Sequence, residues 1–214
     1  QKELSRTFRV PIVVENESNL SAVGEHTFVY PDKDIISISV HTGIGLGLIL
    51  NGHLYTGHEG YAGEFGHTIV EPDGRPCPCG NKGCLEQYAS TGALKRRSGS
   101  LPEGHPARFD VRALFKHCRL GDEAALAILD AWVYDLAVGV ASLTHAFNPD
   151  VVLIGGGVSA QGAFLLDRVR AQLEKLVIPS FYRTLRVEAA RLGNDAALLG
   201  AASAVFERTE GMLF

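Results

Sequence analysis

The chain lacks any excess of positive charge: 20 lysines and arginines stand against 24 aspartates and glutamates, a formal net charge of −4. A protein that grips nucleic acid with its own surface needs a basic face, so this stretch by itself is a poor candidate for that task. Its one basic cluster, Lys95-Arg96-Arg97, borders a Gly/Ser/Pro stretch and reads as a solvated loop end. No run approaches the ~20 apolar residues of a membrane-spanning helix, and no membrane partner is expected. The opening residues, Gln1 to Arg6, have neither the apolar region of a signal peptide nor an initiator Met. They read as the start of a soluble fragment or processed product. Cysteine is scarce, at four residues. Three lie between positions 77 and 84 and Cys118 stands alone, unlike the spread framework of a secreted disulfide protein. A reducing cytoplasm fits that usage.

What is present suits one folded domain. Hydrophobic residues make up 46% and charged residues 21%, which excludes a disordered chain and allows a real core. Val10 to Val14 is a short apolar, β-branched run, followed by a helical stretch from about Asn16 to Glu25. Ile35 to Val40 alternates with serines as a strand does. Thr42 to Leu50 and the turn dipeptide Asn51-Gly52 predict two antiparallel strands joined through a glycine-rich turn, with a third strand beyond. Residues 57–84 are too rich in Gly, Pro and Cys for regular elements, and Ser98 to Pro106 is a loop. Asp122 caps a long helix with Leu129, Trp132, Val133, Leu136, Val140, Leu143 and Phe147 on its buried face. Trp132 belongs to core rather than to an interface. Asn148-Pro149 ends that helix. A buried strand, Val151 to Ile154, then runs into Gly155-Gly156-Gly157. Helix at about 159–176, strand at 185–189 and helix at about 194–208 complete an α/β domain with a mixed sheet.

Cys77-Pro-Cys79-Gly-Asn-Lys-Gly-Cys84 is the most specific chemical feature. Zinc takes four ligands in a tetrahedron, and a tight glycine-bearing turn can aim closely spaced thiolates at one centre. The fourth ligand must come from elsewhere. His67 lies ten residues before Cys77 beside an apparent short strand, Thr68-Ile69-Val70, and a hairpin could return it to the thiols. His53, His58 and His105 are rivals. With four protein ligands such a site is closed, hence structural.

The segment Gly63-Glu64-Phe65-Gly66-His67, followed by Cys77-x-Cys79-Gly80-x3-Gly83-Cys84-Leu85-Glu86, resembles the signature of the ROK family of repressors and sugar kinases. Val13 to Asn19 resembles its active-site segment and Thr42-Gly43-Ile44-Gly45 its phosphate-facing hairpin. Leu153 to Ser159 resembles its adenosine-side turn, and Gly193 to Ala201 its closing helix. The resemblance implies an actin-like ATPase, ribonuclease-H-like fold with a sugar held in a cleft between two lobes. It implies that Asn16, Glu64, His67 and Glu86 hydrogen-bond the sugar, with His67 also reaching Zn(2+). Thr42, Gly43, Gly45, Gly155, Gly156 and Gly157 would be the nucleotide-side residues, if that function is retained.

Glu17 stands where sugar kinases of the family place a catalytic Asp, and Leu46 where a phosphate-binding member is expected to have Gly. No Asp-x-Gly-x-Thr segment, which supplies metal and phosphate contacts in the amino-terminal lobe, is found in 1–214. Glu15-Asn16-Glu17 with Leu46 resembles the xylose-repressor-type regulators. Residues 1–214 are then expected to be the carboxy-terminal, sugar-binding lobe, with a zinc loop at 67–84 and Glu17 as a sugar-hydroxyl acceptor. DNA would be bound only through a helix-turn-helix domain outside this chain, and assembly would be a homodimer or dimer of dimers. The competing readings are an ATP-dependent, glucokinase-like sugar kinase, with Glu17 as its base, and a zinc-ribbon interaction module.

Overall fold

A computed structural model of the chain describes residues 2–8 and 10–210. In order come α1 (Lys2–Thr7), α2 (Glu17–Phe28), β1 (Ile35–Val40), β2 (Ile44–Leu50), β3 (His53–Leu54), α3 (Glu86–Ala89), α4 (Thr91–Ser98) and α5 (Val111–Arg119). They are followed by α6 (Glu123–Phe147), β4 (Val151–Gly155), α7 (Ala163–Leu176), α8 (Pro179–Tyr182), β5 (Arg186–Ala189) and α9 (Ala196–Glu210). The sheet order is β3-β2-β1-β4-β5. β3, β2 and β1 pair antiparallel, whereas β1, β4 and β5 run parallel, so the sheet is mixed as expected.

Alternation divides β1 between the two faces of the sheet. Ile36, Ile38 and Val40 enter a large core with β4, α5, α6 and α7. Ile35 enters a smaller one with Ile49, Val151 and Leu153, closed by Ala22 and Val23 of α2. Helices therefore cover both faces, and strands buried on both sides need apolar residues at nearly every position. Ser37 and Ser39 break that pattern. With Gly45 they form the floor of an open cleft beneath α2. A Cβ at Gly45 would collide with Ser18 Oγ, so glycine there is what lets α2 lie close on the sheet.

Helix α6 is the spine of the larger core. Asp122 caps it by accepting from the Ala125 N–H at 3.1 Å, and Asn148, in the left-handed region, ends it. Trp132 is fully buried, and its Nε1 donates to the Ser90 carbonyl at 2.9 Å. Phe147 does not share that face and is exposed. By length and composition α6 could cross a membrane, with a mean hydropathy of 1.6 over 18 residues. Asp130 and Asp135 interrupt it, so it is not an unbroken apolar run. Half of that window is buried inside this fold, which accounts for the apolarity.

Other expectations change too. Val10 to Val14 forms no strand, and Val10 and Val14 are exposed. The helix placed at 159–176 is a short 3₁₀ turn, Ser159–Gln161, then a reversal at Gly162 (φ +56°), then α7. Lys95-Arg96-Arg97 is not a solvated loop end but part of α4. Arg97 pairs with Asp135 of α6, and Arg96 donates to the Gln87 carbonyl at 2.8 Å.

Candidate functional site

The cysteine loop folds on two short pairings. Ile69 bridges Cys84 antiparallel, with Val70 N–H donating to Gly83 O and Leu85 N–H to Thr68 O, each at 2.9 Å. Thr68 to Val70 is thus a bridge rather than a strand, but it does return His67 to the thiols. Within the loop, Cys77 N–H donates to Asn81 O at 2.9 Å and Gly80 N–H to Cys77 O at 3.0 Å, closing a turn that carries both Cys77 and Cys79.

The ligand atoms of His67, Cys77, Cys79 and Cys84 all lie within 4.8 Å of one another. A zinc tetrahedron with bonds of about 2.3 Å to sulfur and 2.0–2.1 Å to nitrogen has S···S edges near ~3.8 Å and N···S edges near ~3.6 Å. Cys79 Sγ and Cys84 Sγ are 3.6 Å apart, and His67 Nδ1 and Cys77 Sγ 3.5 Å. The donor set fits zinc. None of the rivals His53, His58 and His105 joins it. Crowding splits the thiols. Burial, reinforced by contacts with Cys77 and Cys79, pushes Cys84 up to about 12, and burial also raises Cys77. A backbone hydrogen bond from Asn81 lowers Cys79 to about 7. Three adjacent thiolates need a cation to coexist, which a coordinated metal supplies. His67 turns its other nitrogen, Nε2, toward Glu64 Oε2 at 3.8 Å.

The remaining candidates surround two cavities that share Ile44 and Gly45. The larger, about 780 Å³, is lined by Glu17, Gly43, Gly45, Glu86 and Gly155–Gly157. The smaller, about 210 Å³, is lined by Asn16, Gly45, Gly63 and Glu64. Asn16 caps α2 by accepting from the Ser18 N–H at 2.8 Å, which places Asn16 and Glu17 at the helix start. Glu86 begins α3 directly after the cysteine loop. Its Oε1 accepts from Cys77 Sγ at 3.2 Å, while its Oε2 lies where a Cβ on Gly43 would be 2.9 Å away. Thr42 and His67 line neither cavity; Thr42 packs on Gly92 at the start of α4.

Leu46 carries less meaning than the sequence suggests. It is buried in the larger core and lines the smaller cavity rather than the larger cleft, so it removes no room from a phosphate in the latter. The alternation along β2 assigns Leu46 and Gly45 to opposite faces.

Residues that sequence reasoning missed include Ser18, Ser37, Ser39, His41 and Asn194 along the larger cleft. Serines inside a strand covered on both faces were the available signal. Glu25 was missed as well. It is fully buried, lines the cleft, and accepts from the Leu192 N–H at 2.8 Å through Oε1. Oε2 has no hydrogen-bond partner among the described residues, and burial raises the carboxyl above its ordinary range.

Comparison with known proteins gives this geometry a setting. The ROK family model matches residues 1–208. The chain is 40% identical to a glucokinase of Thermotoga maritima, over 98% of this chain and 70% of that protein. It is 33% identical to a xylose repressor of Bacillus spizizenii, over 95% of this chain and 53% of the repressor, so it spans about half the repressor's length. A ROK family glucokinase of Streptomyces griseus, solved with glucose and AMPPNP, superposes with a TM-score of 0.84 at 34% identity, covering 96% of this chain and 72% of that one. Repressors and sugar kinases are thus both among its relatives. The chain belongs to the ROK family and has that family's actin-like ATPase α/β fold.

Proposed function

We propose that residues 1–214 are the sugar-binding, carboxy-terminal lobe of a cytoplasmic, sugar-responsive ROK regulator, stabilised by zinc in the loop 67–84. His67, Cys77, Cys79 and Cys84 would hold the metal. Four protein ligands close the site, so the metal would supply structure rather than Lewis acidity. Asn16, Glu64, His67 Nε2 and Glu86 would supply the acceptors and donors by which hydroxyl-rich ligands are read. DNA contact is assigned to a domain outside this chain, and assembly to a homodimer or dimer of dimers.

The observation carrying the regulator reading is Glu17. It lines the same cleft as Glu86, where a carboxylate of either length can accept a hydroxyl. The family's kinases place Asp there as the base. A base displaced by about 1 Å can lose on the order of 10²-fold in rate. A sugar kinase is the second reading, favoured by the 40% identity to a glucokinase and by the roomy glycine-lined cleft. The full-length protein, given ATP with glucose or xylose, separates them. The regulator reading expects no sugar phosphate, sugar binding weakened roughly tenfold or more by Glu17→Ala, and no activity gained by Glu17→Asp. Measurable phosphorylation by the unaltered protein replaces the first reading with the second.

A further inference from the structure

We propose that Gln87 is a positioning residue that orients the Glu86 carboxylate for its ligand and couples it to the cysteine loop. The inference rests on Glu86 meeting the sugar.

Gln87 is held by two arginines. Arg96 Nη2 donates to the Gln87 carbonyl at 2.8 Å and to its Oε1 at 3.2 Å, and Arg75 Nη1 donates to the same carbonyl at 3.2 Å. The two ends of a Gln amide are hard to tell apart by shape, so neighbours must decide the orientation. A guanidinium has donors only. The amide oxygen therefore faces Arg96, and the NH₂ group must face the other way.

There it meets two acceptors. Nε2 donates to Glu86 Oε1 at 3.1 Å and lies 3.7 Å from Cys77 Sγ. Cys77 Sγ also contacts Glu86 Oε1 at 3.2 Å. Once a metal removes the Cys77 thiol proton, Gln87 Nε2 is the donor that keeps Oε1 in place, and Oε2 over Gly43 is the oxygen left for a ligand hydroxyl. A recognition carboxylate must be held to about 0.5 Å to be effective, and partners of a metal ligand commonly provide that hold. Gln87 does both at once: it fixes Glu86 and donates toward the sulfur of Cys77. Arg96, on α4, fixes Gln87.

The test uses the intact, zinc-loaded protein, with D-glucose and D-xylose titrated calorimetrically. Unaltered protein is compared with Glu86→Gln, Gln87→Met, Arg96→Met and the Glu86→Gln/Gln87→Met double variant. Gln87→Met is expected to weaken sugar binding about tenfold, the worth of a hydrogen bond to a charged group. Arg96→Met acts in the same direction and to a lesser extent, and it serves alone if Gln87→Met does not fold. In the Glu86→Gln background, Gln87→Met is expected to add nothing, because residues acting through one another are not additive. Full additivity, or a fall in zinc content and melting temperature that accounts for the lost binding, overturns the positioning role. So does unchanged binding in Gln87→Met when Glu86→Gln binds weakly. If Glu86→Gln itself binds normally, or neither sugar binds the unaltered protein, the underlying reading of Glu86 fails first.

Discussion

Two groups of side chains bring potential metal ligands together among the described residues: His67, Cys77, Cys79 and Cys84, and, across the domain, His105, His117 and Asp122. By distance alone they look alike. The difference lies in what their lone pairs already do. Ala107 N–H donates to His105 Nδ1 at 3.1 Å, so the proton of a neutral His105 sits on Nε2, which donates to Asp122 Oδ2 at 2.8 Å. His117 Nδ1 approaches the same oxygen at 3.1 Å, and Asp122 Oδ1 caps α6. A metal on His105 Nε2 would require a proton on Nδ1, facing the Ala107 N–H. The second group is therefore a hydrogen-bonded clamp that starts a helix. In the first, only thiol protons stand in the way, and a metal displaces those. Proximity of donor atoms does not make a metal centre; available lone pairs do.

The largest effect expected from this contrast is at the cysteine loop. Metal analysis should find about one zinc per chain, and Cys84→Ser or strong chelation should abolish cooperative unfolding. Structural zinc is worth roughly 10–16 kcal/mol in finger peptides, against about 5–15 kcal/mol for a whole domain. Freshly prepared protein without zinc would erase the distinction between the two groups. A smaller effect follows at the clamp. Asp122→Ala, which removes a cap and two histidine partners, should lower the melting temperature by a few degrees. Zinc content should stay the same; a second equivalent of metal lost with Asp122 would break the comparison from the other side.

The smallest effect is on acid stability. The backbone hydrogen bond from Ala125, aided by His105 and His117, lowers Asp122 from 3.8 to about 2. A carboxyl depressed in the folded state contributes stability above its unfolded value, and that contribution disappears as pH falls from about 4 toward 2. Denaturation profiles of the unaltered protein should slope in that window, and those of Asp122→Asn should be flatter. Equal slopes would mean that the clamp contributes nothing through its charge.

Legibility followed sequence distance. The cysteines, the Asp122 cap and the Asn148-Pro149 stop were readable because each acts within about ten residues. β1 was readable from its alternation, β4 from its apolar run, and the antiparallel β1-β2-β3 pairing from the glycine-rich turn and Asn51-Gly52; the parallel pairings of β4 join distant segments and left no local signal. Arg97 was misread because its partner, Asp135, lies 38 residues away. The clamp was invisible for the same reason: His105 and Asp122 meet only after α5 folds between them, and α5 itself was not foreseen. Glu25 needed knowledge of Leu192, 167 residues on. Leu46 was misweighed for a different reason. Its neighbours showed a strand, but which face would be open depended on where α2 docks.

That docking has a mechanical consequence. Helix α2 presents Asn16 and Glu17 at its first turn, and about two turns along, roughly 12 Å at 1.5 Å per residue, Glu25 fastens the backbone at Leu192. Close approaches hold the same helix against β2 at Gly45 and Gly47 and against α9 at Gly200. Glu17 and the segment leading into Gly193 and Asn194 are therefore carried by one rigid support, and the two walls of the cleft share a single beam.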